Sequence, residues 1–105
     1  MAAYMIVLAR NVLTDGWDSY QAKVADCITS FGGSYLVKRV PAEVLEGDFP
    51  YQRITCFAFP DMDAIRRFWR STEYQHTIKP LREGLGHLDV WAVPGLEDVE
   101  QEGGV

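Results

Sequence analysis

The apolar positions of this chain follow two different repeats, which separate strand-like segments from helix-like ones. Residues 3–10, AYMIVLAR, form a short apolar run of the kind found in a buried strand. Residues 34–40, 53–59 and 86–93 are similar in length and are rich in β-branched and aromatic side chains. The pattern therefore predicts four strands.

Two intervening segments have apolar residues at three- and four-residue steps, the spacing of one face of a helix. The first runs from Trp17 to Phe31 after a cap at Thr14 or Asp15, and it ends at a Gly-Gly pair. The second covers residues 62–69 after a cap at Asp61. In the run RRFWRSTEYQ, the aromatic side chains belong to this apolar face, and a capping box from Thr72 to Gln75 begins a further short helix.

The resulting order is β-α-β-β-α-β, which predicts a ferredoxin-like α+β fold with an antiparallel four-stranded sheet and two helices on one face. At 105 residues the chain has room for one such domain. We assign it to residues 1–94. Residues 95–105, GLEDVEQEGGV, are too polar to fold alone and are predicted to be a flexible acidic tail.

The distribution of charge argues against a nucleic-acid-binding protein. Of the 15 acidic residues four lie in the tail, so the rest of the chain carries 11 against 10 basic residues. Binding to phosphate backbones needs a clustered positive surface. The apolar N-terminal run is too short to span a bilayer and has no signal-peptide pattern. We therefore expect no membrane association, a cytoplasmic location and two reduced cysteines.

Strand alternation predicts two contrasting sheet faces. The face expected against the helices is small and aliphatic, and it consists of Ala3, Met5, Val7, Ala9, Leu36, Lys38, Val40, Ile54, Cys56, Ala58, Leu88, Val90 and Ala92. The opposite face is large, aromatic and charged, and it consists of Tyr4, Ile6, Leu8, Arg10, Tyr35, Val37, Arg39, Arg53, Thr55, Phe57, Phe59, His87, Asp89, Trp91 and Val93. Exposing so many apolar side chains forfeits roughly 1.5–3 kcal/mol each. A second copy is expected to cover this face, giving a homodimer with a partly enclosed space between the sheets.

Several separated motifs resemble those of the family called domain of unknown function 1330. They are GGSYLVKR, EVLEGDFPYQRITCFAFP, and SxEYQ followed by PLR, and the resemblance covers about residues 3–93. It implies membership of the dimeric α+β barrel superfamily, in which two sheets form a barrel. That superfamily includes muconolactone isomerases, cofactor-free monooxygenases and haem-binding relatives. The family itself has no general assigned activity, so the resemblance supplies no catalytic residues.

His87 and Asp89 are the candidate catalytic residues. They lie two positions apart on one predicted strand face, about 6.6–7 Å along the backbone, which we expect to be too far for a direct hydrogen bond. A histidine and a carboxylate at that spacing can act on one small ligand as acid and base. The alternative is structural, with Asp89 paired to Arg10, Arg39 or Arg53 across the sheet.

Five residues are candidates for substrate binding. Arg39 and Arg53 beside Tyr35 suit a carboxylate ligand, although they can equally cap the barrel rim or bridge two subunits. Phe57 and Trp91 either line an aromatic-binding cavity or fill it themselves.

These residues favour a small-molecule-binding dimeric barrel. One hypothesis is a cofactor-independent enzyme, an isomerase, dehydratase or cyclase, acting on a small acidic or aromatic metabolite. The alternative is a non-catalytic dimer that binds a metabolite or only assembles. We expect no cofactor and no metal, because no haem, dinucleotide, phosphate-loop or metal-ligand motif is present. A cavity with an unpaired Arg39 or Arg53 would keep the enzyme hypothesis, whereas a filled lumen with every arginine paired to Asp89 or a tail acid would exclude it.

Overall fold

The computed structural model describes residues 2–11 and 16–96. Its strands are β1 (Ala3–Arg10), β2 (Ser34–Val40), β3 (Arg53–Phe59) and β4 (His87–Pro94). They form one antiparallel sheet in the order β2-β3-β1-β4. This order and the β-α-β-β-α-β succession of elements confirm the predicted ferredoxin-like α+β fold.

The helical elements are α1 (Trp17–Ser30), α2 (Met62–Arg70), a π-helix (Glu73–Ile78) and a 3-10 helix (Lys79–Arg82). None of the described helices has the length and apolar character needed to cross a bilayer. Of the predicted acidic tail, Gly95 and Leu96 belong to the described residues and the remainder lies outside them.

The predicted helix caps have three different outcomes. Asp61 caps α2, because its Oδ1 accepts a hydrogen bond from the Ala64 N–H at 2.8 Å. The caps expected at residues 14 and 15 lie outside the described residues. The capping box at Thr72 is wrong: Ser71 Oγ accepts from the Tyr74 N–H at 3.2 Å instead, one residue earlier. The chain then continues as the π-helix, with no side-chain cap from Thr72.

The core lies between the sheet and the helices, and aromatic rings form much of it. Phe68 of α2 is 1% exposed and contacts three other rings, with centroid distances of 5.9 Å to Phe59, 6.1 Å to Phe31 and 4.6 Å to Tyr74. These rings bury large apolar areas, so the arginine-flanked aromatics of RRFWR are mainly architectural.

The face assigned to β3 from the sequence is wrong. Directly opposed residues of an antiparallel pair share a face, and Phe57 opposes Met5 whereas Cys56 opposes Ile6. Phe57 and Phe59 therefore pack in the core on the helix side, with the buried Thr55. The two polar residues of β3, Arg53 and Thr55, share a face with Phe57 and Phe59, so polarity does not reveal which side is buried, and a one-residue shift exchanges the faces.

Two register irregularities in β2 also break the simple alternation. Tyr35 opposes Phe57 and so faces the helices, whereas Val37 opposes Cys56 on the outer side. Val37 and Val40 are 37% and 41% exposed, and Trp91 of β4 is 54% exposed. The face turned away from the helices thus keeps exposed apolar side chains. We call it the outer face.

Candidate functional site

A cavity of about 110 Å³ lies between the sheet and the helices of the single chain. Its walls are mostly apolar and come from β1, α1, α2, the π-helix and β4. The main wall residues are Met5, Val7, Val24, Ile28, Phe68, Trp69, Leu88 and Val90. One protomer therefore forms the walls of this cavity, which is partly open to solvent.

Four of the five predicted binding residues meet at this cavity, namely Tyr35, Arg39, Arg53 and Phe57. The rings of Tyr35 and Phe57 lie 4.5 Å apart between centroids. Phe57 is 4% exposed, so it belongs to the core wall as well. Trp91 is not brought to the cavity: it opposes Ile6 on the outer face.

Arg39 has an unusual backbone conformation at the edge of this cavity. Its φ is 49°, in the left-handed region that costs a non-glycine residue about 1–2 kcal/mol. Its N–H donates to Thr55 Oγ1 at 3.1 Å, which holds the irregular part of β2 against β3. Irregularities of this kind bend a strand and redirect a side chain, and they occur often beside functional sites. Here the redirected residue is one of two arginines that line the cavity.

The charge at the cavity is positive and is not neutralised within the described residues. Arg39 and Arg53 line it, and no carboxylate or histidine does so among the residues described. Arg53 donates to the backbone oxygen of Gln52 at 3.0 Å. Neither arginine forms an ion pair with an acid in residues 2–11 or 16–96. A ligand anion would find donors there without displacing a protein carboxylate.

Two tyrosine hydroxyl groups form a hydrogen bond in the wall. The oxygens of Tyr20 and Tyr74 lie 3.2 Å apart, and both side chains are buried. Burial, followed by the proximity of Tyr74, raises the pKa of Tyr20 well above its usual range. The phenol is therefore neutral and remains a hydrogen-bond donor. Sequence reasoning placed both tyrosines in apolar stripes and missed this pair, although a buried tyrosine usually needs a hydroxyl partner.

The candidate catalytic residues lie on the outer face instead. His87 Nε2 and Asp89 Oδ1 are 2.8 Å apart, and Tyr51 donates its hydroxyl to Asp89 Oδ2, also at 2.8 Å. The expectation that the two residues are too far apart is wrong, because strand spacing describes backbones while side chains can lean toward each other. The structural alternative expected Asp89 to pair with an arginine across the sheet. Its hydrogen-bond partners are instead His87 and Tyr51.

The hydrogen bond from His87, followed by that from Tyr51, lowers the pKa of Asp89 below its usual value. The hydrogen bond that Tyr51 donates to Asp89 also raises the pKa of Tyr51. Sequence reasoning missed Tyr51, which precedes β3 in a long irregular connection and gives no periodic signal. The cluster is a short hydrogen-bonded chain from a phenol through a carboxylate to an imidazole, an arrangement able to orient a histidine for proton transfer.

The molecule thus has two separate groups of candidate residues on opposite sides of the sheet. The cavity group provides shape, apolar contact and positive charge, which suit binding. The outer group provides a half-exposed acid–base pair. Its His87 also borders an open surface pocket together with Gln75, Lys79 and Arg82. The cluster of His87, Asp89 and Tyr51 is called the outer cluster below.

A family profile described as "Domain of unknown function (DUF1330)" matches residues 2–96. No curated protein matches the chain.

Two solved structures share the fold. RPA0582, a protein of unknown function from Rhodopseudomonas palustris, aligns with a TM-score of 0.65 at 14% identity, covering 90% of this chain and 82% of that one. A mutant of SnoaB, a cofactor-independent oxygenase from Streptomyces nogalater, aligns with a TM-score of 0.57 at 15% identity, covering 90% and 92% of the two chains. At such identities the likeness concerns the fold alone.

Proposed function

This chain belongs to the DUF1330 family, a domain of unknown function, and we propose that it binds a small organic acid in the cavity between its sheet and its helices. The observation that carries the proposal is the pair of arginines at a mostly apolar cavity, with no acid paired to either in the described residues. Arginine presents a planar fork of donors that matches a carboxylate.

The size of the cavity favours a ligand with one ring or a short branched chain. An apolar cavity of about 150 Å³ in another protein accepts benzene. The cavity here, about 110 Å³, is somewhat smaller, so a ring would enter with part of the ligand outside it. A carboxylate at the arginines and a ring against the aromatic wall would satisfy both kinds of surface.

We further propose that the protein is a homodimer formed through the outer face. Val37, Val40 and Trp91 are exposed there in the single chain. Full burial of each would recover a part of the roughly 1.5–3 kcal/mol available to such a side chain, because between 37% and 54% of it is exposed. A second copy is the simplest cover, since one surface can pack against itself around a two-fold axis.

A second candidate function follows from the outer cluster. In the proposed dimer it would lie beside the space between the two sheets, where His87 could transfer a proton while Asp89 and Tyr51 hold it. The likeness to SnoaB supports the idea that such a fold can work without a cofactor. This is the cofactor-independent isomerase, dehydratase or cyclase hypothesis, and the non-catalytic binding protein is its alternative.

Benzoate is a suitable first probe for the binding proposal. The dissociation constant is measured by NMR titration for the wild type, for Arg39→Met and for Arg10→Met. Arg10 supplies the matched control, because it carries the same charge on the outer face of the sheet. A hydrogen bond to a charged group contributes about 1.5–3 kcal/mol when buried and less when exposed, so Arg39→Met is expected to weaken binding about five- to tenfold. Equal affinities in all three proteins would contradict the proposal.

The enzyme hypothesis has a separate probe in the keto–enol tautomerisation of phenylpyruvate, which needs only an acid and a base. If the outer cluster transfers protons, the protein accelerates this reaction and Asp89→Asn lowers the rate. If the wild type gives no acceleration, or Asp89→Asn and His87→Ala leave the rate unchanged, isomerase chemistry at this cluster is contradicted. Benzoate binding at the cavity is unaffected by either result.

A further inference from the structure

The indole N–H of Trp17 is a buried donor without an acceptor. Trp17 is 8% exposed, lines the cavity, and its Nε1 has no hydrogen-bond partner in the described residues. Leaving a buried donor unpaired costs about 1–3 kcal/mol, and most such groups in folded proteins are paired. Because Trp17 borders the cavity, an acceptor atom on a bound ligand would satisfy this donor.

The hydroxyl pair beside Trp17 has a spare hydrogen as well. Tyr20 and Tyr74 have one hydroxyl hydrogen each, and their mutual hydrogen bond uses only one of the two. The remaining hydrogen has no acceptor among the described residues. The rings of Trp17 and Tyr20 meet edge to face with centroids 5.7 Å apart, so the two donors belong to neighbouring side chains in one wall.

The polar groups that line the cavity are thus mainly hydrogen-bond donors. The arginines and the indole can only donate hydrogen bonds, and the hydroxyl pair has a hydrogen left to donate. Thr55 Oγ1 already accepts from the backbone of Arg39, which leaves its own hydrogen for donation. Gln21 also lines the cavity, and its amide oxygen is an acceptor, so the polar lining is made mainly but not wholly of donors. A ligand with several acceptor oxygens would therefore complement these donors.

We propose that the ligand carries a second acceptor oxygen, a carbonyl, which the Trp17 indole and the Tyr20–Tyr74 hydroxyl pair bind while Arg39 and Arg53 bind its carboxylate. This rests on the proposed function and deepens it, because it narrows the ligand from an organic acid to an aryl or short-chain acid with a carbonyl group. The carbonyl site is built by α1 and the π-helix, and the carboxylate site by β2 and β3. Trp17 is a ligand-binding residue in this proposal.

Two nearly isosteric acids test the carbonyl site. 4-Formylbenzoate has a C=O group where 4-vinylbenzoate has C=CH₂, and both carry the same carboxylate. Since a net neutral hydrogen bond contributes about 0.5–1.5 kcal/mol, the wild type is expected to bind the formyl compound about two- to twelvefold more tightly. In Trp17→Phe the preference is expected to fall by about twofold or more, because the ring remains and its donor does not, while the hydroxyl pair still donates.

A direct measurement on the wild-type protein does not depend on how the variant folds. The chain has three tryptophans, so three indole ¹H–¹⁵N resonances are available for assignment. The Trp17 indole proton is expected to move downfield with 4-formylbenzoate and not with 4-vinylbenzoate. The resonance of Trp91, which is exposed on the outer face, should stay unchanged with both and is the internal control.

The outcomes separate this inference from the proposal beneath it. If both acids bind equally and Arg39→Met weakens both, the carbonyl site is refuted while the acid-binding cavity stands. If neither acid binds, or if Arg39→Met has no effect on either, the proposed function itself is refuted. A shift of the Trp17 resonance that is identical for both acids also overturns the carbonyl site.

Discussion

Removing one hydroxyl from the buried tyrosine pair is expected to destabilise the protein measurably. Tyr74 and Tyr20 are 2% and 8% exposed, and their oxygens lie 3.2 Å apart. Tyr74→Phe removes a hydrogen bond that contributes about 0.5–1.5 kcal/mol, and it leaves the buried Tyr20 hydroxyl without this partner. We expect the free energy of unfolding to fall by about 1–2 kcal/mol.

The double variant is the sharper test. In Tyr20→Phe/Tyr74→Phe no hydroxyl is left unpaired, and replacing both partners by apolar groups of similar shape can be nearly neutral. The loss in the double variant should therefore be smaller than the sum of the two single losses. Urea unfolding followed by circular dichroism measures all four proteins, at one fixed protein concentration, because association of a dimer would shift apparent stability with concentration.

Additive single effects would refute this reasoning. Independent sites add within about 0.3–0.5 kcal/mol, so a coupling smaller than that means the two hydroxyls do not interact in solution. Tyr4→Phe is the matched control, since Tyr4 is half-buried on the outer face and should change stability little. A loss in Tyr74→Phe no larger than in the control would be equally damaging.

Three further predictions concern pH and packing. Burial raises the pKa of Tyr20 above the ordinary 10.0. The contribution of its neutral phenol to the free energy of unfolding is therefore complete below that pH and is lost as the pH rises above it. The loss of stability at alkaline pH should be less steep in Tyr20→Phe. The pKa of Asp89 is held below the ordinary 3.8, so its stabilising effect exists above that pH and is lost as the pH falls. Carboxyl ¹³C NMR should show this pKa rising in His87→Ala, and an unchanged pKa would contradict the hydrogen bond. A Cβ at Gly33 would lie 2.5 Å from Ile28 Cγ2, so Gly33→Ala should lower the free energy of unfolding by about 1–3 kcal/mol in a thermal unfolding experiment. Gly47→Ala is the comparison, because Gly47 has φ 88° but no atom close to an added Cβ, and it shows the cost of the backbone conformation without a clash.

The order of elements was predictable because period-two and period-3.6 patterns alternate clearly along the chain. The buried side of β3 was not predictable from the sequence. Ile54, Cys56, Phe57 and Phe59 give no polarity difference between the two faces, so the packing of the whole sheet decides the matter. The irregularities in β2 were also hidden, because nothing in SYLVKRV marks where an extra residue enters.

Four of the residues proposed for ligand binding lie together in the structure, but on the other side of the sheet from the one expected. Tyr35, Arg39, Arg53 and Phe57 do meet at one cavity, but it lies under the helices and not between two sheets. The prediction of a shared face was wrong for β3, and Arg39 reaches the cavity through a strained backbone that no residue pattern indicates. Trp17 was assigned to the core because a helical stripe looks the same whether it fills space or borders a cavity.

The location of the ligand is the central claim, and valine methyl groups report it directly. Val24 and Val90 line the cavity, whereas Val37 and Val40 lie on the outer face. In a methyl-labelled protein titrated with benzoate, the account predicts that the ¹H–¹³C resonances of Val24 and Val90 shift with saturation while those of Val37 and Val40 stay in place. Shifts confined to Val37 and Val40 would place the ligand on the outer face and contradict the account, and so would the absence of any shift.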